Sequence, residues 1–249
     1  PVVLEQARRA RSRRLPVRVS GPPLEEGDGG FFPDDGAWMR RDGVEERLFS
    51  TGAVRVPGLH LAGDLLVAAA AARLLGVDTD AVTRGVEAFR GVEHVLEHVA
   101  TLAGVAFFND SKATNVAAVT RSLEAFDGRV FAILGGRYKG GDFALLAPPL
   151  RARGSKVLAI GEARERIAAA LGGEVAVETC ASLREAVERA RTAAEPGDTV
   201  LLAPGCSSFD MFADYAERGR RFKEEVHRLA GEESSPGDAE LDDDPERGR

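Results

Sequence analysis

Cysteine and histidine are scarce in this sequence. Its 249 residues include two cysteines, Cys180 and Cys206, and four histidines. Two cysteines without a CxxC pairing argue against a disulfide framework or a structural zinc site and read as two reduced thiols. Histidines this few and scattered build no metal cluster, so no residue is assigned to a metal. No apolar run reaches the roughly 18 residues that a membrane helix needs; the nearest, Leu65–Leu75, is short and interrupted by Arg73. The opening Pro-Val-Val-Leu-Glu-Gln lacks the basic start and apolar core of a signal peptide. It also lacks methionine and reads as the middle of a longer chain. A phosphate-binding GxxxxGK[ST] loop is absent throughout.

What remains is globular in composition: 44% hydrophobic and 29% charged residues. Net charge is −7, and the stretch from Gly231 onward, with eight acids and two arginines, supplies most of it. A near-neutral body argues against general nucleic-acid binding. The run Arg8, Arg9, Arg11, Arg13, Arg14 reads as a solvated helix face, because Leu4 and Ala7 intervene at helical spacing. A cytoplasmic, monomeric protein with no nucleic-acid or membrane partner is expected.

Three regions separate: 1–90, 91–230 and an acidic tail, 231–249, that reads as disordered. In the first, residues 20–36 read as loop, and Gly30–Phe32, Ala37–Arg40 and Glu46–Phe49 read as an antiparallel meander. Leu59–Leu75 reads as a helix stopped by Gly76, and Asp78 or Thr79 can cap a second helix running through Phe89. From Glu97 the pattern is regular. Ala103-Gly104 joins two strands, Glu97–Leu102 and Val105–Phe108. Strands at Val130–Leu134, Lys156–Ile160, Val175–Glu178 and Thr199–Ala203 alternate with helices at Thr114–Phe126, Ala144–Arg153, Ala163–Leu171, Ser182–Ala194 and Asp210–Ala230. Ser182 with Glu185 reads as a capping box. Strands apolar on both faces and alternating with helices predict an α/β, Rossmann-like, doubly wound, mostly parallel sheet. Ligands of such sheets sit beyond the carboxyl ends of the strands.

Chemistry-bearing residues collect at three of those ends. Asn109-Asp110-Ser111-Lys112-Ala113-Thr114-Asn115 follows Phe108, and a polar turn opening a helix suits an anion. Gly135-Gly136-Arg137-Tyr138-Lys139-Gly140-Gly141 follows Leu134, with glycines for close backbone approach and two cations. Pro204-Gly205-Cys206-Ser207-Ser208 follows Ala203 and offers hydroxyl donors. Gly161-Glu162 after Ile160 offers little. Together these ends predict a small pocket for a carboxylate or phosphate.

The same turns resemble the Mur ligase family, and within it the branch that adds D-glutamate. NDSKATN (Asn109–Asn115), ILGGRYKGGDF (Ile133–Phe143) and APGCSSFDMF (Ala203–Phe212), followed by Arg218-Gly219 and Phe222, carry the resemblance, in order and spacing. A folylpolyglutamate synthase or another Mur ligase is the neighbouring reading; the tripeptide-forming branch would show a DYAHNP-type run instead of NDSKATN. The resemblance implies that residues 1–90 are the end of a central α/β ATPase domain, without its phosphate loop, and that 91–230 is the amino-acid-binding domain. It implies ATP and Mg2+ as cofactors, held mainly by residues not in this chain, and D-glutamate and UDP-N-acetylmuramoyl-L-alanine as substrates in peptidoglycan synthesis. The alanyl carboxylate would become an acyl phosphate that the D-glutamate amine attacks. Lys112, Thr114, Lys139, Ser208 and Tyr215 would bind D-glutamate; Asp110 and His94 would contact the nucleotide. Three positions depart from the pattern: Val95 stands for an arginine, and Leu61 and Asp64 for asparagines. The alternative is a non-catalytic or partner-dependent amino-acid-binding module.

Overall fold

The computed structural model describes residues 15–19 and 27–234. The arginine run at 8–14, residues 20–26 of the expected 20–36 loop and residues 235–249 of the tail lie outside the described residues. The chain divides into two compact units, one up to Leu96 together with Glu124–Phe126, the other formed by the remainder.

The first unit has a four-stranded sheet in the order β1 (Val17–Arg18), β2 (Gly29–Phe31), β3 (Gly36–Arg41), β4 (Val44–Ser50). β2, β3 and β4 form the expected antiparallel meander, and β1 joins β2 in parallel. Two helices follow: α1 (Leu59–Leu74) and α2 (Thr79–Ala88). Gly76 adopts a left-handed φ of +90° after α1, and Asp78 caps α2 by accepting from Ala81 N–H at 2.8 Å. Leu66, Ala69, Val82 and Val86 pack with Leu48 and Phe49 into its core.

The second unit carries the larger sheet, in the order β5-β6-β10-β7-β8-β9. Its strands are β5 (Glu97–Leu102), β6 (Val105–Asn109), β7 (Val130–Gly135), β8 (Lys156–Ile160), β9 (Ala176–Thr179) and β10 (Thr199–Leu202). β5 pairs antiparallel with β6 through the two-residue turn Ala103-Gly104, both at positive φ. That combination matches the right-handed twist of the flanking strands. The other five strands are parallel. All six residues of β7 are buried, so the sheet is covered on both faces, which is why its strands read as continuous apolar runs. One face packs Phe107, Phe131, Ile133 and Leu158 against α6 (Leu183–Ala193) and α7 (Tyr215–Ser234).

Several boundaries differ from expectation, each for a local reason. The helix after β6, α3, spans Val116–Leu123 and not Thr114–Phe126. Asn115 caps it by accepting from Ala118 N–H at 2.9 Å, which leaves Lys112–Thr114 in the turn. The expected Ala144–Arg153 helix begins as a 3-10 turn, Phe143–Leu146, before α4 (Ala147–Ala152); Pro148 and Pro149 have no N–H to donate and suit only a first helical turn. α5 spans Arg164–Leu171. α7 starts at Tyr215, five residues later than Asp210, and runs on to Ser234, past the expected start of the tail at Gly231. Ser182 caps α6 as expected, accepting from Glu185 N–H at 3.1 Å, while the Glu185 carboxylate takes Ala181 N–H.

At the amino ends of β7 and β10, Arg129 grips the buried carboxylate of Asp198 with Nε and Nη2 at 2.6–3.1 Å. Burial pushes the Asp198 carboxyl up, but the Arg129 hydrogen bond, the Glu195 N–H and the Arg129 charge outweigh it and hold the pKa below its ordinary value of 3.8. A depressed carboxyl contributes stability above its unfolded pKa and loses it as pH falls through the lower folded value. Urea unfolding across pH 7 to 3 is therefore expected to show the unaltered chain more stable than Asp198→Asn at neutral pH, the two converging in acid. A gap independent of pH would show that the ion pair contributes nothing to the acid response.

Candidate active site

β10 lies between β6 and β7, so the carboxyl ends of these three strands are adjacent and the chain reverses its winding there. This is the position at which an open α/β sheet forms its ligand crevice. Neighbouring strands lie about 4.8 Å apart, which places the turns after β6 and β7 roughly 10 Å from each other with the β10 turn between them.

Backbone bonds tie the turns into one rim. Asp110 N–H donates to Leu202 O, and Gly205 N–H to Ala113 O, each at 2.8 Å. Arg137 and Ser207 exchange N–H···O bonds at 2.9 and 3.1 Å, and Ser207 Oγ also donates to Arg137 O at 3.1 Å. Gly141, at φ +101°, rests against α3, since a Cβ there would stand 3.1 Å from Val116 Cγ2. Gly136, at φ +130°, meets the Ser207 carbonyl so closely that no side chain fits.

Lys112 and Lys139 are exposed on this rim, and neither forms a hydrogen bond or ion pair with a described residue. Arg137, the other cation, pairs with Glu162 at 3.4 Å. Thr114 is half-buried just before the α3 cap. Ser208 is buried, its carbonyl accepting from Met211 and Phe212 N–H. Tyr215 opens α7, partly exposed, its carbonyl accepting from Ser111 Oγ at 2.7 Å. The fold thus brings the turns carrying Lys112, Thr114, Lys139, Ser208 and Tyr215 to one edge of one sheet.

The two nucleotide candidates sit differently. Asp110 is buried and its carboxylate accepts from Ser122 Oγ. His94 belongs to the first unit, buried at a left-handed φ of +65° next to Val95, whose N–H closes a tight turn onto Val92 O at 3.0 Å. Also in the first unit, α1 and α2 flank an apolar cavity of about 480 Å³. Leu61 and Asp64 both line it, and among the described residues Asp64 is its only charged side chain.

Sequence reasoning missed the polar floor of the rim. Arg218, expected only as part of a closing motif, is fully buried and donates to both the Ser111 and Cys206 turns. Asp210 holds Glu162 N–H at 2.8 Å through Oδ2, so Gly161-Glu162 is joined to the rim after all. Cys206 is buried, and loss of solvation pushes its thiol up to about 11. A neutral, enclosed thiol is no nucleophile at neutral pH.

Residues 96–206 match the family described as Mur ligase, glutamate ligase domain. This segment belongs to the Mur ligase family. The chain is 50% identical over 166 residues to the UDP-N-acetylmuramoylalanine–D-glutamate ligase of Chlorobium phaeobacteroides, covering 67% of this chain and 36% of that protein. It is 40% identical over 231 residues to the enzyme of the same name from Geotalea daltonii, covering 93% and 50%. The chain spans about half the length or less of these curated relatives. Among solved structures, the UDP-N-acetylmuramate–alanine ligase of Thermotoga maritima aligns with a TM-score of 0.56 at 18% identity, covering 80% of this chain and 44% of that one. FolC of E. coli, solved with ADP, aligns at 0.57 and 18%, covering 84% and 47%. These structural likenesses establish the Mur ligase type of fold for the chain.

Proposed function

We propose that this Mur ligase chain supplies the D-glutamate-binding part of an ATP-dependent ligase that joins D-glutamate to UDP-N-acetylmuramoyl-L-alanine in peptidoglycan synthesis. The observation that carries the reading is the pair of lysines, Lys112 and Lys139, unpartnered among the described residues. They stand at the ends of two strands flanking a hydroxyl-bearing turn, in a chain 40–50% identical to ligases of that name. A diacid needs two cationic groups held apart by a rigid frame. Charge-assisted bonds from two ammonium groups are the strong ones available to a carboxylate. Thr114 and Ser208 add hydroxyl donors, and the Tyr215 ring walls the site.

The chemical contribution of these residues is positioning. Two fixed carboxylates leave the D-glutamate amine one direction in which to point, and a pre-oriented nucleophile removes much of the entropic barrier to amide formation. An ATP and magnesium site does not fit the residues present. The sequence has no phosphate loop, and the described residues include no group of three or more His, Cys, Asp or Glu able to hold a metal. No step through ATP is assigned to this chain.

Calorimetric titration tests the reading. D-glutamate is expected to bind the 249-residue chain, and L-glutamate at least about tenfold more weakly, since inverting the stereocentre misplaces one of two charge-assisted contacts. The chain alone is expected to release no phosphate from ATP with both substrates present. Equal binding of the enantiomers, or steady phosphate release, would contradict the assignment.

A further inference from the structure

Arg218 is the only charged side chain among the largest fully buried of the described residues. A guanidinium withdrawn from water costs several kcal/mol unless its donors are satisfied, and among the described residues no carboxylate bonds to this one. Its three hydrogen-bond acceptors are neutral oxygens: Nε donates to Ser111 Oγ at 3.0 Å, Nη2 to Ser111 O at 2.8 Å, and Nη1 to Cys206 O at 3.2 Å. Nη1 also sits 3.2 Å from where a Cβ on Gly136 would stand. One side chain therefore bonds to the turns after β6 and β10 and lies beside Gly136 in the turn after β7.

Each of these positions is one to three residues from a proposed ligand group. Ser111 precedes Lys112, Cys206 lies two residues before Ser208, and Gly136 three before Lys139. Arg218 itself rises from the first turn of α7, whose first residue is Tyr215, and Ser111 Oγ closes the ring by donating to Tyr215 O at 2.7 Å. Burial lowers the guanidinium pKa to about 10, partly opposed by the Asp210 charge, so Arg218 is a cation at neutral pH.

We propose that Arg218 is a positioning residue for the D-glutamate site: its buried guanidinium clamps the turns after β6 and β10 to the start of α7, beside Gly136 of the turn after β7, and so sets the spacing of the groups that hold the two carboxylates. The inference rests on the site reading above. A planar fork with fixed donor directions is what the three bonds require, and the single ammonium of lysine cannot make them at once.

The experiment compares the unaltered chain with Arg218→Lys and Ser111→Ala, well below their melting temperatures and with folding checked by circular dichroism. Both variants are expected to bind D-glutamate more weakly, Arg218→Lys by about tenfold or more, with the preference for D- over L-glutamate falling toward one. A residue that merely holds the fold together would weaken both enantiomers alike and leave that preference intact, which would overturn the proposal. So would either variant binding as the unaltered chain does. Should both variants fail to fold, the Arg218 Nε–H signal in the nitrogen-15 spectrum of the unaltered chain decides: it is expected to shift on saturation with D-glutamate, and a stationary signal counts against the clamp. If the unaltered chain binds no D-glutamate, the site reading itself fails and takes this inference with it.

Discussion

Replacing Gly136 with alanine is expected to destabilise the second unit by about 3 kcal/mol or more, combining left-handed backbone strain with a side chain that has no space. Gly136 has φ +130°, and a Cβ there would collide with the Ser207 carbonyl oxygen and press on Cys206 Cβ at 3.1 Å. Neither neighbour is a flexible side-chain end. The Ser207 carbonyl is already committed to Arg137 N–H, so relieving the clash means opening the junction between the β7 and β10 turns. For a domain of this size the melting temperature should fall by about 6–12 °C. Gly140→Ala is the control. Its φ is also positive, +108°, but a Cβ there meets open space, so only the backbone cost of about 1 kcal/mol applies. Urea midpoints of the two variants measure the difference; equal, small shifts would show that the close approach at Gly136 is not what fixes the loop.

The second large effect concerns binding. Lys112→Ala and Lys139→Ala are each expected to weaken D-glutamate binding about 10–100-fold, the worth of one charge-assisted hydrogen bond. Stability should move by less than about 0.5 kcal/mol, because both side chains are exposed and unpartnered among the described residues. This separation of affinity from stability distinguishes a ligand residue from a structural one. Titration of each variant, with a melting curve alongside, checks it. If either lysine can be removed without loss of affinity, the ligand meets only one cation and the diacid reading is wrong.

The parallel sheet was legible in the sequence because its strands are apolar on both faces, as Val130–Gly135 shows, and because a two-residue turn at Ala103-Gly104 admits only a hairpin. The rim was legible for a related reason: polar residues packed between a buried strand and a helix start have few structural explanations. What could not be read depends on contacts distant in sequence. Alternation of strands and helices does not say that β10 inserts between β6 and β7, although that insertion is what makes the three turns neighbours. Asp210 looked like the start of a helix, yet its carboxylate is taken by Glu162 N–H, 48 residues away, and α7 begins only at Tyr215. Arg218 sits in a helix whose other arginines are largely surface pairs, such as Arg221 with Glu224 at 3.0 Å. Only the partner 107 residues away, Ser111, marks it as different.

The account turns on Lys112 and Lys139 serving one ligand. A diffraction structure of the chain with D-glutamate bound measures this directly. The account predicts one ligand at the carboxyl ends of β6, β10 and β7, with a carboxylate oxygen about 2.8 Å from each lysine Nζ. D-glutamate found elsewhere, or the two ammonium groups turned to opposite sides of the sheet edge with no ligand spanning them, would contradict it.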